Sequence, residues 1–401
     1  MTTKLPGIGE FFIIDSTLRE GQQNAVCNFT IKQKTDFLLL LEQFGIEYTE
    51  IGNPLSSEIA FQEYQQLLQF KQCHQLKLKL IVHVRNCFQD IKKCFETANC
   101  TPDGISIVIS TSNLLRESSH KQNIDQIIET TRSNLEFIKT TCPTIEVRFS
   151  TEDSFRTDYQ ELYKLYHSIS KYVDRIGIAD TVGMATHWDI ENLIHTIHKA
   201  TAKNLPIECH FHNDSASAVY NSFVALMYGC SHINTSVLGI GERNGITDLT
   251  GLIARLYTFS KKSVDKYHLS TLPELDRFVA QAIGHPIPFN NPITGPFAFC
   301  HKAGIHTNAM IKNKQCYQVI ANTDFGLPNN IIIFSPIMGY NALKHFIDNN
   351  LQIVDQRLDN TQVKHVCENI KHLIARDPSL GTRLNSDVDF ATTFVRSRLH
   401  Q

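Results

Sequence analysis

The chain lacks any concentration of positive charge. Its 38 lysines and arginines stand against 40 aspartates and glutamates, a formal net charge of −2 over 401 residues. Without a basic face, neither a nucleic acid nor an anionic membrane surface is an expected partner. Apolar runs long enough to cross a bilayer are missing too. The opening stretch MTTKLPGIGEFFIIDSTLRE turns polar after four apolar residues and has no apolar core of a secretory signal. Eleven cysteines are present, an odd number, and no two have the C-x-x-C spacing of a zinc or redox motif. Reduced thiols in a cytoplasmic protein are the expectation. Low-complexity tracts are also absent. What remains is 42% apolar and 19% charged, enough for a sizeable core and too apolar for disorder.

Eight β-prone runs punctuate the first 240 residues: 11–18 (FFIIDSTL), 46–52, 78–84, 104–110 (GISIVIS), 144–150, 175–180 (RIGIAD), 206–212 (PIECHFH) and 232–239. Their starts are 35, 32, 26, 40, 31, 31 and 26 residues apart, room for one helix each. The intervening stretches 32–45, 57–70, 123–140 and 158–172 show helical periodicity. Eight strand–helix units predict a parallel sheet closed into a (β/α)₈ TIM barrel. An open doubly wound sheet would want a glycine fingerprint after the first run, and there is none. The barrel is expected over 9–284, a Pro/Asn/Gly-rich linker over 285–300, and a small, mainly helical C-terminal subdomain over 301–401. Within that last part, 301–313 and 335–350 look helical, with a helix or two beyond 350.

Active sites of such barrels lie at the carboxyl ends of the strands. The first strand ends in Asp15, followed by Arg19 and Glu20, His83 and Arg85 sit at the third run, and Arg148, Ser150 and Glu152 at the fifth. Asp180 and Thr181 end the sixth, Glu208, His210 and His212 lie on the seventh, and Glu242 to Asn244 follow the eighth. Alternation puts His210 and His212 on one face, where two imidazoles can grip one divalent cation. Glu20, and Asn244 as a further candidate ligand, stand on neighbouring staves only if the sheet closes. Mixed nitrogen and oxygen ligands without thiolate suit Mg, Mn or Zn, with positions left open for a bidentate 2-oxo acid. Arg19 would then face the developing alkoxide, unless it serves as an ion pair with Glu20 or Asp15. Arg148, Ser150 and Thr181 could receive a distal carboxylate. An internal salt bridge of Arg148 to Glu152, Asp153 or Asp180 is an equal alternative.

The segments DSTLREGQQ (15–23), VRFSTEDSFR (147–156), GIADTVG (177–183), ECHFHND (208–214), LGIGERNGIT (238–247), PFNNPITG (288–295) and HKAGIH (301–306) together resemble the homocitrate synthases. These belong to a metal-dependent Claisen-condensing family of DRE-TIM metallolyase type, with the isopropylmalate and citramalate synthases. The resemblance implies an acyltransferase that condenses acetyl-CoA with 2-oxoglutarate to homocitrate and CoA, entering lysine biosynthesis. It implies Glu20, His210 and His212 as metal ligands, Arg19 beside the ketone, and Gln23 and His83 as further substrate contacts. Arg148, Ser150 and Thr181 fall on the groups that take the far carboxylate. Glu152 and His306 fall on the pair that moves protons at the acetyl methyl. His306 covers the partner's barrel in the family, which implies a domain-swapped homodimer. Arg148 favours a dicarboxylic acceptor, since an apolar substrate end would leave its charge unpaired.

The chain departs from the pattern in places. Ser106 stands where the lysine-pathway members show an aspartate that holds the inhibitor lysine, and Ser110 where they show glycine. Gly52-Asn53-Pro54 and HNDSAS also differ at the pocket rim. Other 2-oxo acid acceptors, of isopropylmalate, citramalate, Re-citrate or phosphonomethylmalate synthase type, are the alternative reading. An inactive ligand-sensing homologue is the second. The loop GIGERNG lacks the cysteine of acyl-CoA lyases.

Overall fold

The computed structural model describes residues 7–97, 100–201, 205–328, 330–331, 333–351 and 359–399. The chain divides into two compact units, one through Thr294 and one from Gly295 onward.

The first unit is a closed barrel of eight parallel strands in sequence order. They are β1 (Phe12–Asp15), β2 (Tyr48–Ile51), β3 (Lys79–Arg85), β4 (Gly104–Ser110), β5 (Glu146–Glu152), β6 (Arg175–Asp180), β7 (Ile207–Phe211) and β8 (His232–Thr235). Closure is made by β8 pairing with β1, from Phe12 opposite His232 to Asp15 opposite Thr235. The helices between strands begin and end where local chemistry says they should. Thr30 and Gln33 form a reciprocal cap at the start of Ile31–Phe44, and Gly45 ends that helix at φ 100°. Asn123 with Gln126 and Thr186 with Asp189 do the same for Ile124–Thr141 and His187–Ala200. The core between barrel and helices is apolar, with Leu38, Leu41, Leu80, Ile127, Val147, Leu165, Ile194 and Leu252 buried alongside Phe37, Phe44 and Phe149.

Four strands, β1, β2, β7 and β8, are shorter than the sequence suggests, and for β1 and β8 the reason is that the chain turns at the barrel mouth. After β1, the Thr17 amide and hydroxyl donate to the Asp15 carboxylate at 3.0 and 2.8 Å, which bends the backbone away from the sheet. After β8, a 3₁₀ turn at Val237–Gly239 carries Leu238 at φ 59°. The loop then folds back, and the Ile246 amide donates to the Gly239 carbonyl at 3.1 Å. Gly245, at φ 78°, lies so close that a Cβ there would be 1.8 Å from the Gly239 oxygen.

The second unit packs helices Tyr340–Asn350, Asn360–Arg376, Pro378–Ser386 and Val388–Leu399 around Leu343, Val363, Ile370 and Val395. Helix Gly304–Lys312 begins three residues later than expected, because Cys300–His301 pairs as a short strand with Asn330–Ile331. The helix expected from Ser335 starts at Tyr340, behind Pro336 and Gly339. Beyond residue 350 the described part holds three helices rather than one or two. Asp377 accepts from the Ser379 amide at 3.0 Å and Pro378 opens the next helix, so the apolar pattern is cut there.

Gly245→Ala is expected to cost at least ~2 kcal/mol, because its Cβ meets a backbone oxygen at a left-handed position. Urea unfolding checks this; an unchanged midpoint would contradict the close approach.

Candidate active site

Glu20, His210 and His212 offer ligand atoms within 4.8 Å of one another, and all three are buried. The turn after β1 brings Glu20 over the barrel mouth, where its Oε1 accepts the Glu242 amide at 3.1 Å. The two imidazole Nε2 atoms face each other at 3.4 Å and stand 4.0 and 3.9 Å from the Glu20 oxygens. Burial, then the neighbouring His212, pushes His210 down to about 3, so its ring is neutral at physiological pH. Burial also lowers His212. Burial alone would raise Glu20, but the Arg19 guanidinium, helped by the Glu242 amide, outweighs it and holds the carboxyl below its ordinary range. Two neutral imidazoles with facing nitrogen atoms and one ionised carboxylate are a donor set that fits a divalent cation. With its amide oriented to satisfy the carboxylate, Gln23 donates to Glu20 at 2.9 Å.

Beneath this seam runs a chain of buried charge whose centre is Glu50 on β2. Arg19 donates to it through Nε at 2.9 Å and also pairs with Glu20. Ser16 donates to it at 2.8 Å, Arg148 approaches at 3.3 Å, and His83 Nδ1 stands 3.6 Å away. Arg148 also pairs with Glu208 at 2.8 Å and donates to the Ser106 hydroxyl, which lies 3.0 Å from His83 Nδ1. Burial and Arg19 together lower His83, so it too is neutral. Burial raises Glu208 in spite of Arg148 and Arg175. Room for the Arg148 fork comes from Gly177 across the sheet, where a Cβ would lie 2.7 Å from its Nε and Nη2.

Several of these groups line a cavity of about 550 Å³. Arg19, Glu20, Gln23, His83, Arg148, Ser150, Glu152, Thr181, His210 and His212 all face it, whereas Asp15, Asp180, Glu208 and Asn244, also singled out in the sequence, do not line it. Asn244 stands exposed in the loop after β8, where Glu242 and Arg243 form the wall instead. Among the lining residues at β5 and β6, Ser150 lies 3.3 Å from Arg148 Nη2, Ser110 donates to Glu152, and Thr181 accepts the Asp153 amide at 2.8 Å. His306 belongs to the second unit, exposed on helix Gly304–Lys312 with its ring 4.2 Å from that of Tyr317.

Glu50 went unread in the sequence, although the alternation in IEYTEIG places Tyr48 and Glu50 on one face. Its presence corrects two expectations. The ion pairs of Arg19 are with Glu20 and Glu50, while Asp15 is committed to Thr17. The internal pairing of Arg148 is to Glu50 and Glu208 rather than to Glu152, Asp153 or Asp180, so its charge already has partners before any substrate arrives.

Residues 10–279 match the HMGL-like family, and residues 293–378 match the family described as homocitrate synthase post-HMGL domain-like. The barrel is thus of the HMGL-like class, in accord with its seam of one carboxylate and two histidines. Among curated relatives, the mitochondrial homocitrate synthase of Schizosaccharomyces pombe is 40% identical over 92% of this chain and 85% of its own length. The cytosolic isozyme of Saccharomyces cerevisiae homocitrate synthase is also 40% identical, over 92% of this chain and 83% of its own. The chain belongs to the homocitrate synthase family. The HMG-CoA lyase of Brucella melitensis shares the barrel fold, with a TM-score of 0.58 at 16% identity over 69% of this chain and all of that one.

Glu50→Ala would leave Arg19 and Arg148 buried without a shared counter-charge, a loss expected at roughly 3–5 kcal/mol. Denaturant unfolding measures it, and a loss under about 1 kcal/mol would show that the two arginines repartner freely.

Proposed function

We propose that the chain joins acetyl-CoA to 2-oxoglutarate, forming homocitrate and CoA. The observation that carries this reading is that one cavity is lined both by the cluster of Glu20, His210 and His212 and by Arg148, Ser150 and Thr181. A divalent cation (Mg, Mn or Zn) bound by the three ligands supplies Lewis-acid polarisation of the ketone. Arg19 and Gln23 flank Glu20 and hold the reacting end of the 2-oxo acid. The second carboxylate is taken by Arg148 with the Ser150 and Thr181 hydroxyls.

Glu152 and His306 move the protons. Removal of one from the acetyl methyl lets that carbon bond to the keto carbon as the C=O π pair moves to oxygen, which then takes a proton, and water cleaves the thioester to release CoA. His306 lies in the unit from Gly295 onward, and we assign it to the barrel of a second subunit in a domain-swapped homodimer. Among the described residues no helix is long and apolar enough to cross a membrane. The eleven cysteines, with no C-x-x-C spacing among them, favour a reducing compartment such as the cytoplasm.

Released CoA, measured against a panel of acceptors, tests the reading: 2-oxoglutarate is expected to be turned over fastest, and a faster rate with 2-oxoisovalerate, pyruvate or oxaloacetate would overturn the acceptor. Arg148→Ala should raise the KM for 2-oxoglutarate by more than about tenfold, the loss of one partner of a buried charge contact. An unchanged KM contradicts that role. His306→Ala should bind metal normally and turn over at less than about a hundredth of the native rate, the scale of a lost acid–base group. Full turnover would mean the proton-moving group lies elsewhere.

A further inference from the structure

The strand that carries Arg148, Ser150 and Glu152 ends in a backbone conformation that an ordinary residue avoids. Asp153 has φ 61° and ψ 40°, left-handed, although it is not glycine and is almost fully buried. Single aspartates adopt this region when local hydrogen bonds hold them there. Here four residues from three segments supply the hold. The Asp153 carboxylate accepts Arg156 Nε at 2.8 and 3.0 Å, and accepts the Ser112 hydroxyl from the loop after β4. Its amide donates to the Thr181 hydroxyl, just past β6, at 2.8 Å, and its carbonyl accepts the Thr157 hydroxyl at 2.8 Å. The Glu152 carbonyl accepts the Thr111 amide at 3.1 Å, which ties the same turn to β4.

We propose that Asp153, locked by Arg156, is a positioning residue that aims both Glu152 and Thr181 into the cavity. This rests on the reading of Glu152 as a proton-moving group. The physical argument has two parts. First, the left-handed residue directly follows Glu152, so it sets where the strand stops and which way the last side chain projects; an extended residue there would carry the chain on along the sheet. Second, the Asp153 amide occupies a lone pair of Thr181 Oγ1. The Thr181 proton is then free for an acceptor in the cavity, the polarity a substrate carboxylate requires. One buried aspartate thus orders a proton acceptor and a carboxylate donor on two adjacent strands. Arg156 is about a third exposed, so it can be removed without leaving a hole in the core.

Steady-state kinetics of Arg156→Ala, Asp153→Asn, Asp153→Ala and Glu152→Gln, each with its thermal midpoint, test the proposal. Arg156→Ala and Asp153→Ala should lower kcat at least about tenfold and raise the KM for the 2-oxo acid while leaving that for acetyl-CoA within about twofold, as a misplaced reacting group does. Asp153→Asn, which tolerates the left-handed region and keeps an accepting oxygen, should restore most of the activity. If Glu152→Gln is inactive but Arg156→Ala keeps native kcat and KM, the positioning role is overturned. The same holds if Arg156→Ala lowers only the thermal midpoint. Full turnover by Glu152→Gln would overturn the reading of Glu152 itself, and with it the proposal.

Discussion

Glu20 reaches His210 and His212 only because the sheet closes. The carboxylate follows the first strand and the imidazoles sit on the seventh, and the β1–β8–β7 pairing is what makes them neighbours. Closure sets the electrostatics as well. It removes the three groups from water, so the histidines lose their proton affinity and the carboxylate survives as an anion through Arg19. A constellation that needs neutral nitrogen and ionised oxygen is thereby prepared by burial itself.

Burial at this density carries a cost that the same residues offset. Arg19, Arg148 and Arg175 lie inside the barrel with Glu20, Glu50 and Glu208, and no pair is isolated: Arg148 bridges Glu50 to Glu208, and Arg175 meets Glu208 at 3.0 Å. Such a network contributes little net stability compared with an apolar core, but it keeps each guanidinium in one place. Gly177 serves the same end by absence, since any side chain there would displace the Arg148 fork. The interior is therefore built for placing charge, at the expense of the packing that a barrel interior ordinarily has.

Much of this was legible in the chain. The runs 104–110 and 175–180 have the bounds of β4 and β6, because β-branched residues fill them and the turns that follow are abrupt. The H-x-H pair was readable from period-two alternation alone. Glu50 was not, since a single charge within a four-residue strand resembles a strand end. The partners of Arg148 were hidden for a different reason: Glu50 lies 98 residues away in sequence, and spacing carries no information about contacts across a barrel. The left-handed turn at Asp153 gives no compositional sign, as aspartate is equally at home in ordinary turns.

The account stands on a cation held at the seam between the first and seventh strands. Isothermal titration of the chelator-treated protein with manganese or zinc measures this directly, with Glu20→Gln and His210→Ala alongside. One ion per chain, lost or weakened by at least about a hundredfold in both variants, is the predicted result. Native affinity retained by either variant, or no binding by the unaltered protein, would contradict it.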